Sequence, residues 1–202
     1  MNYEDEVLYK GSHTELRVRR GENVKGYEFI HEHRCDGHIV SILPVHCKRG
    51  MLVREELTPC WGEGPFINSI TGGWEKDIHP TPIDTVIAEL REETGIVLKD
   101  ESAIKTLGTV RGAKSSDSMY HLFLIDLTDD NYEEFEPEPD SDLEKHEYCE
   151  WTPSGVETGG AGILTVGESP WIWYGSDPLL YVMYTRWVMG LYSEAHREDY
   201  HD

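Results

Sequence analysis

The sequence predicts a single domain of the α+β class, in which a mixed β-sheet is accompanied by two separate helices. Short apolar runs between turn residues fill residues 6–70, the apolar period then changes to that of a helix near residue 83, and a second amphipathic segment follows at residues 177–196. A length of 202 residues fits one domain with substantial additions.

The composition excludes several classes of protein. The chain has 39 acidic against 18 basic residues and a formal net charge of -21, which argues against binding to duplex nucleic acid or to an anionic membrane surface. Six Trp, eleven Tyr and four Phe supply bulky core residues, so the chain is not expected to be disordered as a whole. The sequence has no run of about 18 to 20 apolar residues, and its acidic N-terminus does not resemble a signal peptide.

The four cysteines contain no CxxC pair, which favours free thiols and a cytoplasmic location. Histidines at positions 31, 33 and 38, together with Cys35, raise the alternative of a zinc site. If this segment is a strand that runs into a turn, its side chains point in different directions, and no second pair lies at zinc-finger spacing. A polar hairpin is therefore the favoured interpretation.

The strands are predicted from short apolar runs bounded by glycine and other turn residues. The run at residues 38–45 is almost wholly apolar, as expected for a strand covered on both faces. Asp36-Gly37 is expected to form the turn before it. Further strands are predicted at residues 7–9, 16–19, 27–31, 51–56, 65–70, 105–111, 120–127 and 147–151.

The first helix has clear boundaries in the sequence. Ile83, Val86, Ile87 and Leu90 recur at helical spacing and predict one apolar stripe against a core. Three residues define the ends: Thr81 is the expected N-cap, Pro82 suits the first helical position, and Gly95 is the expected left-handed cap at the C-terminus. The second helix, at residues 177–196, has its stripe at Leu179, Leu180, Met183, Trp187 and Leu191.

Three glutamates of the first helix, Glu89, Glu92 and Glu93, stand at positions i, i+3 and i+4 beside the apolar stripe. Like charges at this spacing repel each other, and a hard cation with oxygen ligands would relieve the repulsion. The alternative is a solvated acidic face without a ligand. The fixed helix end and the preceding Gly72-Gly73 pair favour a cation that binds a diphosphate.

Residues 73–96 resemble a Nudix box, whose pattern ends in R-E-U-x-E-E-x-G-U with U an aliphatic residue. The segment Ala88-Glu89-Leu90-Arg91-Glu92-Glu93-Thr94-Gly95-Ile96 matches it at every fixed position except the first, where Ala88 replaces arginine. Pro80 stands where the pattern has its first glutamate. The resemblance implies a Nudix-like α/β/α sandwich, with a Mg²⁺ site, possible for Mn²⁺ as well, at Glu89, Glu93 and Gly73.

The order of the strands is similar to that of the ADP-ribose pyrophosphatase branch of this family. This similarity implies a β-segment at residues 1–35 that builds a homodimer, followed by the hydrolase domain at residues 36–202. Tyr27 and Phe29 are then candidates to stack on adenine, although both also suit an ordinary strand, and Arg54 is a candidate to bind the phosphates.

The branch also implies a general base in the acidic segment at residues 126–150, which carries twelve acidic residues and one lysine. Glu144 is the first candidate, followed by Glu138, Glu136 and Glu147, and Glu92 of the box is the alternative to all four. The alternative is that the segment is a solvated loop without a catalytic role.

The expected function is Mg²⁺-dependent hydrolysis of a diphosphate in a nucleoside diphosphate derivative, with ADP-ribose or a related nucleotide sugar first. The altered box motivates one alternative, a Nudix fold that binds a nucleotide as a sensor without cleaving it. An RNA-cap hydrolase is disfavoured because the sequence shows no basic path for RNA.

Overall fold

The computed structural model describes residues 2–58, 60–62, 65–137, 148–152 and 177–200. Within these ranges two α-helices are present, α1 (Pro82–Thr94) and α2 (Pro178–Val188). The strands are β1 (Tyr3–Lys10), β2 (Thr14–Gly21), β3 (Val24–Glu32), β4 (His38–His46), β5 (Gly50–Leu57), β6 (Pro65–Asn68), β7 (Ile70–Gly73), β8 (Ile96–Leu98), β9 (Ile104–Arg111), β10 (Met119–Leu127), β11 (Tyr132–Glu134), β12 (Tyr148–Thr152) and β13 (Ser193–Glu194).

The main sheet is mixed and has the strand order β12-β5-β4-β10-β9-β13, with β6 paired to β5 and β7 paired to β4. Its central pair, β4 and β10, is parallel and in register from His38 opposite Met119 to His46 opposite Leu127. The other pairs of this sheet are antiparallel. The central position of β4 explains its almost continuous apolar sequence, because both of its faces are covered.

The two helices cover opposite faces of this sheet. Val40 and Ile42 of β4 pack in one core cluster with Ile83, Val86 and Leu90 of α1. The alternate residues of β4, Leu43 and Val45, pack in a second cluster with residues of α2, namely Leu180, Met183 and Tyr184. Successive side chains of a strand point to opposite faces, so one apolar run serves both cores. The α+β class and the α/β/α layering predicted from the sequence are confirmed.

The boundaries of α1 are those that the sequence predicts. Thr81 is the N-cap, its hydroxyl accepts from the backbone N–H of Asp84, and the Asp84 side chain in turn accepts from the Thr81 N–H, which completes a capping box. Gly95 ends the helix with φ 72°, and its N–H donates to the carbonyl of Arg91. A Cβ at Gly95 would lie 1.9 Å from the carbonyl oxygen of Phe135. Position 95 therefore requires glycine both because no side chain fits there and because its φ is positive.

Strands β1, β2 and β3 form a separate three-stranded antiparallel sheet. The expectation of a hairpin around Asp36-Gly37 is wrong, because β3 and β4 belong to different sheets. The turn itself is confirmed, with φ of 51° at Asp36 and 74° at Gly37. The small sheet is joined to the rest by a hydrogen bond from Ile30 N–H to the Ser115 carbonyl (2.7 Å) and by the His31–Asp117 pair (2.9 Å). The division of the chain at residue 35 stays a prediction.

The structure also differs from the sequence-based expectation in the C-terminal half. Helix α2 ends at Val188 instead of residue 196, and Gly190 follows with φ 68°, so Leu191 lies outside the helix. The acidic segment contains β11, which pairs with β8, a strand that the sequence analysis missed. Among the described residues, the helices are all too short and too polar to cross a lipid bilayer.

Candidate active site

Helix α1 presents Glu89, Glu92 and Glu93 at one end of the sheet. Val86 and Leu90 are fully buried in the core, so they fix the rotation of the helix and leave the three glutamates half-buried on its flank. The glutamates line a cavity of about 400 Å³ between α1, β7 and the segment that follows β3. Two further glutamates and two arginines complete its charged lining: Glu32, Glu75, Arg34 and Arg54.

The last two residues of β7, Gly72 and Gly73, contribute backbone without side chains to the floor of this cavity. An ideal Cβ at Gly72 would lie 1.8 Å from Oε1 of Glu89, closer than any real contact, so the Glu89 carboxylate lies directly over the strand. A Cβ at Gly73 would meet only the Cys35 Cβ, at 3.2 Å. Gly73 lines the same cavity, but Gly72 is the glycine that determines where Glu89 lies. The sequence analysis noted the glycine pair and did not assign this role to Gly72.

Arg54 enters the site from β5, where it lies between Asn68 of β6 and Cys149 of β12. Its Nη1 is 2.5 Å from Oε2 of Glu93, and the two side chains are only 8% and 14% exposed. Its Nε lies 3.6 Å from Oε2 of Glu56. Arg54 and Glu93 thus form a close, largely buried ion pair, in which each charge compensates the other.

Cys35 also lines the cavity, but burial raises the pKa of its thiol to about 11. A thiol with this pKa is protonated at neutral pH and is a poor nucleophile. The chemistry that the cavity offers is therefore that of carboxylates and guanidinium groups.

Carboxylate oxygens are the donors that Mg²⁺ and Mn²⁺ prefer, and the glutamates line a cavity of about 400 Å³, so the residues present fit a divalent cation in chemistry and in space. The described residues contain no group of three or more His, Cys, Asp or Glu side chains already gathered as a metal site. The same finding gives no support to a zinc site. In that segment His31 bonds to Asp117 and His38 contacts His121, so their ring nitrogens are directed to different partners.

The two aromatic candidates on β3 do not line this cavity. Phe29 is 4% exposed, and the guanidinium carbon of Arg19 lies 5.0 Å from its ring centroid. Tyr27 is 48% exposed, and its hydroxyl donates to the carbonyl of Lys114. Of these two candidates, Tyr27 is the one that presents an accessible ring.

Five glutamates are candidates for the general base. Glu144, Glu138 and Glu147 lie outside the described residues, whereas Glu136 is exposed and does not line the cavity. Glu92, the alternative, does line it. The assignment of the base to Glu144 stays a prediction.

No family model matches the sequence, and no curated protein matches it. The fold is similar to that of a solved structure described as an ADP compounds hydrolase, with a TM-score of 0.51 and 15% sequence identity over 69% of this chain and 71% of that one. At this identity the similarity concerns the fold alone.

Proposed function

We propose that the protein is a divalent-cation-dependent hydrolase that cleaves the diphosphate of a nucleoside diphosphate derivative. The observation that carries the proposal is the convergence of Glu89, Glu92 and Glu93 with Arg54 in one cavity over Gly72. Carboxylates that hold a cation, next to a guanidinium group, are the combination that binding a diphosphate requires.

In this proposal Glu89 and Glu93, with Gly73 at the floor of the cavity, hold Mg²⁺ or Mn²⁺. When bound, such a cation neutralises diphosphate oxygens and lowers the pKa of a coordinated water. Arg54 donates to the phosphate oxygens once Glu93 no longer engages it. A carboxylate, Glu144 first and Glu92 second, takes the proton of the attacking water. The half-buried flank of α1 orients Glu89, Glu92 and Glu93 before substrate arrives.

ADP-ribose or a related nucleotide sugar is the substrate class that we propose first. The box at residues 73–96 supports it, and so does the Nudix-like fold shared with an ADP compounds hydrolase. We also propose a homodimer formed through the N-terminal strands, for which the support is the apolar exposed surface of β1.

A second candidate function is that of a nucleotide sensor that binds without cleavage. The Arg54–Glu93 ion pair favours it, because the guanidinium group occupies a carboxylate that the hydrolase needs for its cation. The two altered box positions, Ala88 and Pro80, point the same way.

Turnover separates the two candidates. The protein is incubated with ADP-ribose and other nucleoside diphosphate derivatives and with Mg²⁺ or Mn²⁺, and phosphate is measured after a coupled phosphatase. The hydrolase releases phosphate only with the cation, and Glu89→Gln and Glu93→Gln each abolish the release while the far-ultraviolet circular dichroism stays unchanged. Nucleotide binding without turnover would favour the sensor. Full activity of both variants would refute the proposed cation site.

A further inference from the structure

A second cavity, of about 560 Å³, lies between the main sheet and the N-terminal end of α2. Its volume is within the range of small-molecule sites. Ile39 of β4 and Thr71 of β7 line both this cavity and the carboxylate cavity, so the two are neighbours along the same strands. A ligand could therefore occupy both.

One polar atom in this second cavity lacks a partner. Asn68 is 4% exposed and lines the cavity, and its Oδ1 is buried without a hydrogen bond to any residue that the structure describes. An unpaired buried acceptor is destabilising, so such atoms are rare in folded proteins and mark places where a ligand or water completes the structure.

The neighbours of Asn68 fix which end of its amide is unpaired. Its Nδ2 donates to Oγ1 of Thr58 at 3.5 Å, and the Thr58 hydroxyl donates to Oε1 of Glu56 at 3.2 Å. An ionised carboxylate only accepts, so the proton of Thr58 is committed to Glu56, and Thr58 can only accept from Asn68. The amide nitrogen therefore faces Thr58, and the amide oxygen is the free acceptor.

The rest of the lining suits a flat, uncharged ring. Ile39, Val110, Leu179 and Val182 supply apolar surface, and the half-exposed Trp61 adds an aromatic ring. Asp177 also lines the cavity, but its carboxylate accepts from the backbone N–H groups of Ser69 (2.9 Å) and Leu179 (2.8 Å). The guanidinium group of Arg111 donates to the Asp117 carbonyl (3.1 Å). Among the buried side-chain atoms described in this lining, the Oδ1 of Asn68 is the one without a partner, and an N–H donor would complete it.

We propose that this cavity binds the base of a nucleotide, with an N–H of the base donated to Oδ1 of Asn68. The inference rests on the proposed function in one respect, that the diphosphate of the same ligand occupies the carboxylate cavity. Glu56 joins the two, because it accepts from Thr58 on one side and lies 3.6 Å from Arg54 on the other. The base is thereby assigned to a place other than the rings of Tyr27 and Phe29.

Binding of nucleoside 5′-monophosphates, measured by calorimetry without divalent cation, tests the assignment apart from catalysis. AMP, GMP, UMP and CMP are compared with purine riboside 5′-monophosphate, which has the ring of AMP but no N–H on its base. The expected result is that at least one of the four binds about tenfold or more tightly than the purine riboside compound, as for loss of one buried hydrogen bond. Equal affinities, or no binding by any of the four, would overturn the proposal.

The variant Asn68→Leu distinguishes a binding role from a structural one. It removes the unpaired acceptor and keeps a side chain of similar size, so the urea midpoint should stay the same or rise while the affinity difference between the nucleotides disappears. Asn131→Leu is the matched control, because both ends of that amide are paired within the chain, to Thr128 N–H and to the Asp126 carbonyl. It should lower the urea midpoint and leave binding unchanged.

The possible results separate this inference from the proposed hydrolase. Base-dependent binding that is lost in Asn68→Leu, in a protein without turnover, supports the base site and refutes the hydrolase. Turnover whose KM and nucleotide affinity are both unchanged in Asn68→Leu supports the hydrolase and refutes the base site. A lower urea midpoint with unchanged affinity assigns Asn68 to the fold alone and also refutes the base site.

Discussion

Nη1 of Arg54, on β5, lies 2.5 Å from Oε2 of Glu93, on α1, and both side chains are largely buried. Glu93, which the box pattern assigns to the metal site, is thus paired with a positively charged side chain of the protein itself. Glu93→Gln would remove a carboxylate that lies 2.5 Å from the largely buried guanidinium group of Arg54, so the replacement is expected to be destabilising.

We expect Arg54→Met to destabilise the protein without divalent cation by about 3 kcal/mol, since a largely buried carboxylate loses its counter-charge. Urea unfolding in the presence of a chelator measures this, and the double variant Arg54→Met, Glu93→Gln should recover part of the loss. Arg34→Met is the control. Arg34 lines the same cavity but is half-exposed, and its loss should change stability by less than about 0.5 kcal/mol. Equal effects of the two single variants would refute the argument.

Gly72→Ala should reduce turnover by about a hundredfold and leave the stability nearly unchanged. The new Cβ would clash with Oε1, Cδ and Cγ of Glu89, so this flexible side chain has to turn away as a whole, and the carboxylate is displaced by an ångström or more. Gly73→Ala is the matched control, since its Cβ meets only Cys35, at 3.2 Å, and its effect should be smaller. Turnover of a panel of substrates and thermal unfolding, both measured for the two variants, test this prediction. Equal turnover of the two variants would contradict it.

If Glu144 is the general base, Glu144→Gln should lower kcat by roughly 10²- to 10⁴-fold while substrate and Mg²⁺ still bind. The same measurement on glutamine variants at positions 136, 138 and 147 ranks the other candidates. Should all four variants remain within about threefold of the unmodified protein, Glu92 becomes the first alternative. A solvated carboxylate without a role would show only the small effect of an exposed substitution.

Burial, together with the nearby His38 and Lys76, lowers the pKa of His121 to about 4. An unfolded histidine binds its proton near pH 6.5. Between these values the unfolded chain binds more protons than the folded one, so stability falls as the pH drops from 6.5 to 4, by up to roughly 3 kcal/mol. Urea unfolding at several pH values in this window should show a shallower slope for His121→Gln. An unchanged slope would show that His121 does not cause the loss.

Sedimentation at micromolar concentration should give twice the mass of one chain if the N-terminal strands form a dimer. Every residue of β1 is exposed, and its apolar members include Val7, Leu8 and Tyr9. Leu8→Lys should therefore shift the protein toward the monomer. Ile78→Lys places the same charge on an exposed apolar residue outside the small sheet and should not. A monomeric unmodified protein would rule out the proposed interface.

The parts of the fold that the sequence predicts depend on local interactions. Thr81, Pro82 and Gly95 act within a turn of their own positions, so their residue types alone place the ends of α1. The apolar run of β4 likewise predicts burial on both faces, because the pattern lies within one strand. Pairing between distant strands leaves no such local signal, which is why the sequence analysis missed β8 with β11 and expected β3 and β4 to form a hairpin.

The same distinction between local and distant interactions applies to the candidate site. The spacing of Glu89, Glu92 and Glu93 on one helix is sufficient to predict that they share a flank. The approach of Gly72 to Glu89, the Arg54–Glu93 pair and the unpaired oxygen of Asn68 depend instead on how β5, β6 and β7 lie against one another and against α1. A free acceptor is invisible in a sequence, because it is defined by partners that are absent from its surroundings.

The parallel pairing of β4 with β10 also has a consequence for the order of folding. Their register joins His38 to Met119 and so closes a loop that contains Arg54, Gly72, Asn68 and the whole of α1. Closing a loop of this length is slow compared with forming a helix or a hairpin. During synthesis, β4 therefore cannot gain its parallel partner until the ribosome has passed β10, whereas the residues that line the carboxylate cavity all precede β10. The central strand, which carries both core clusters, is thus completed only after every residue of the cavity lining has been made.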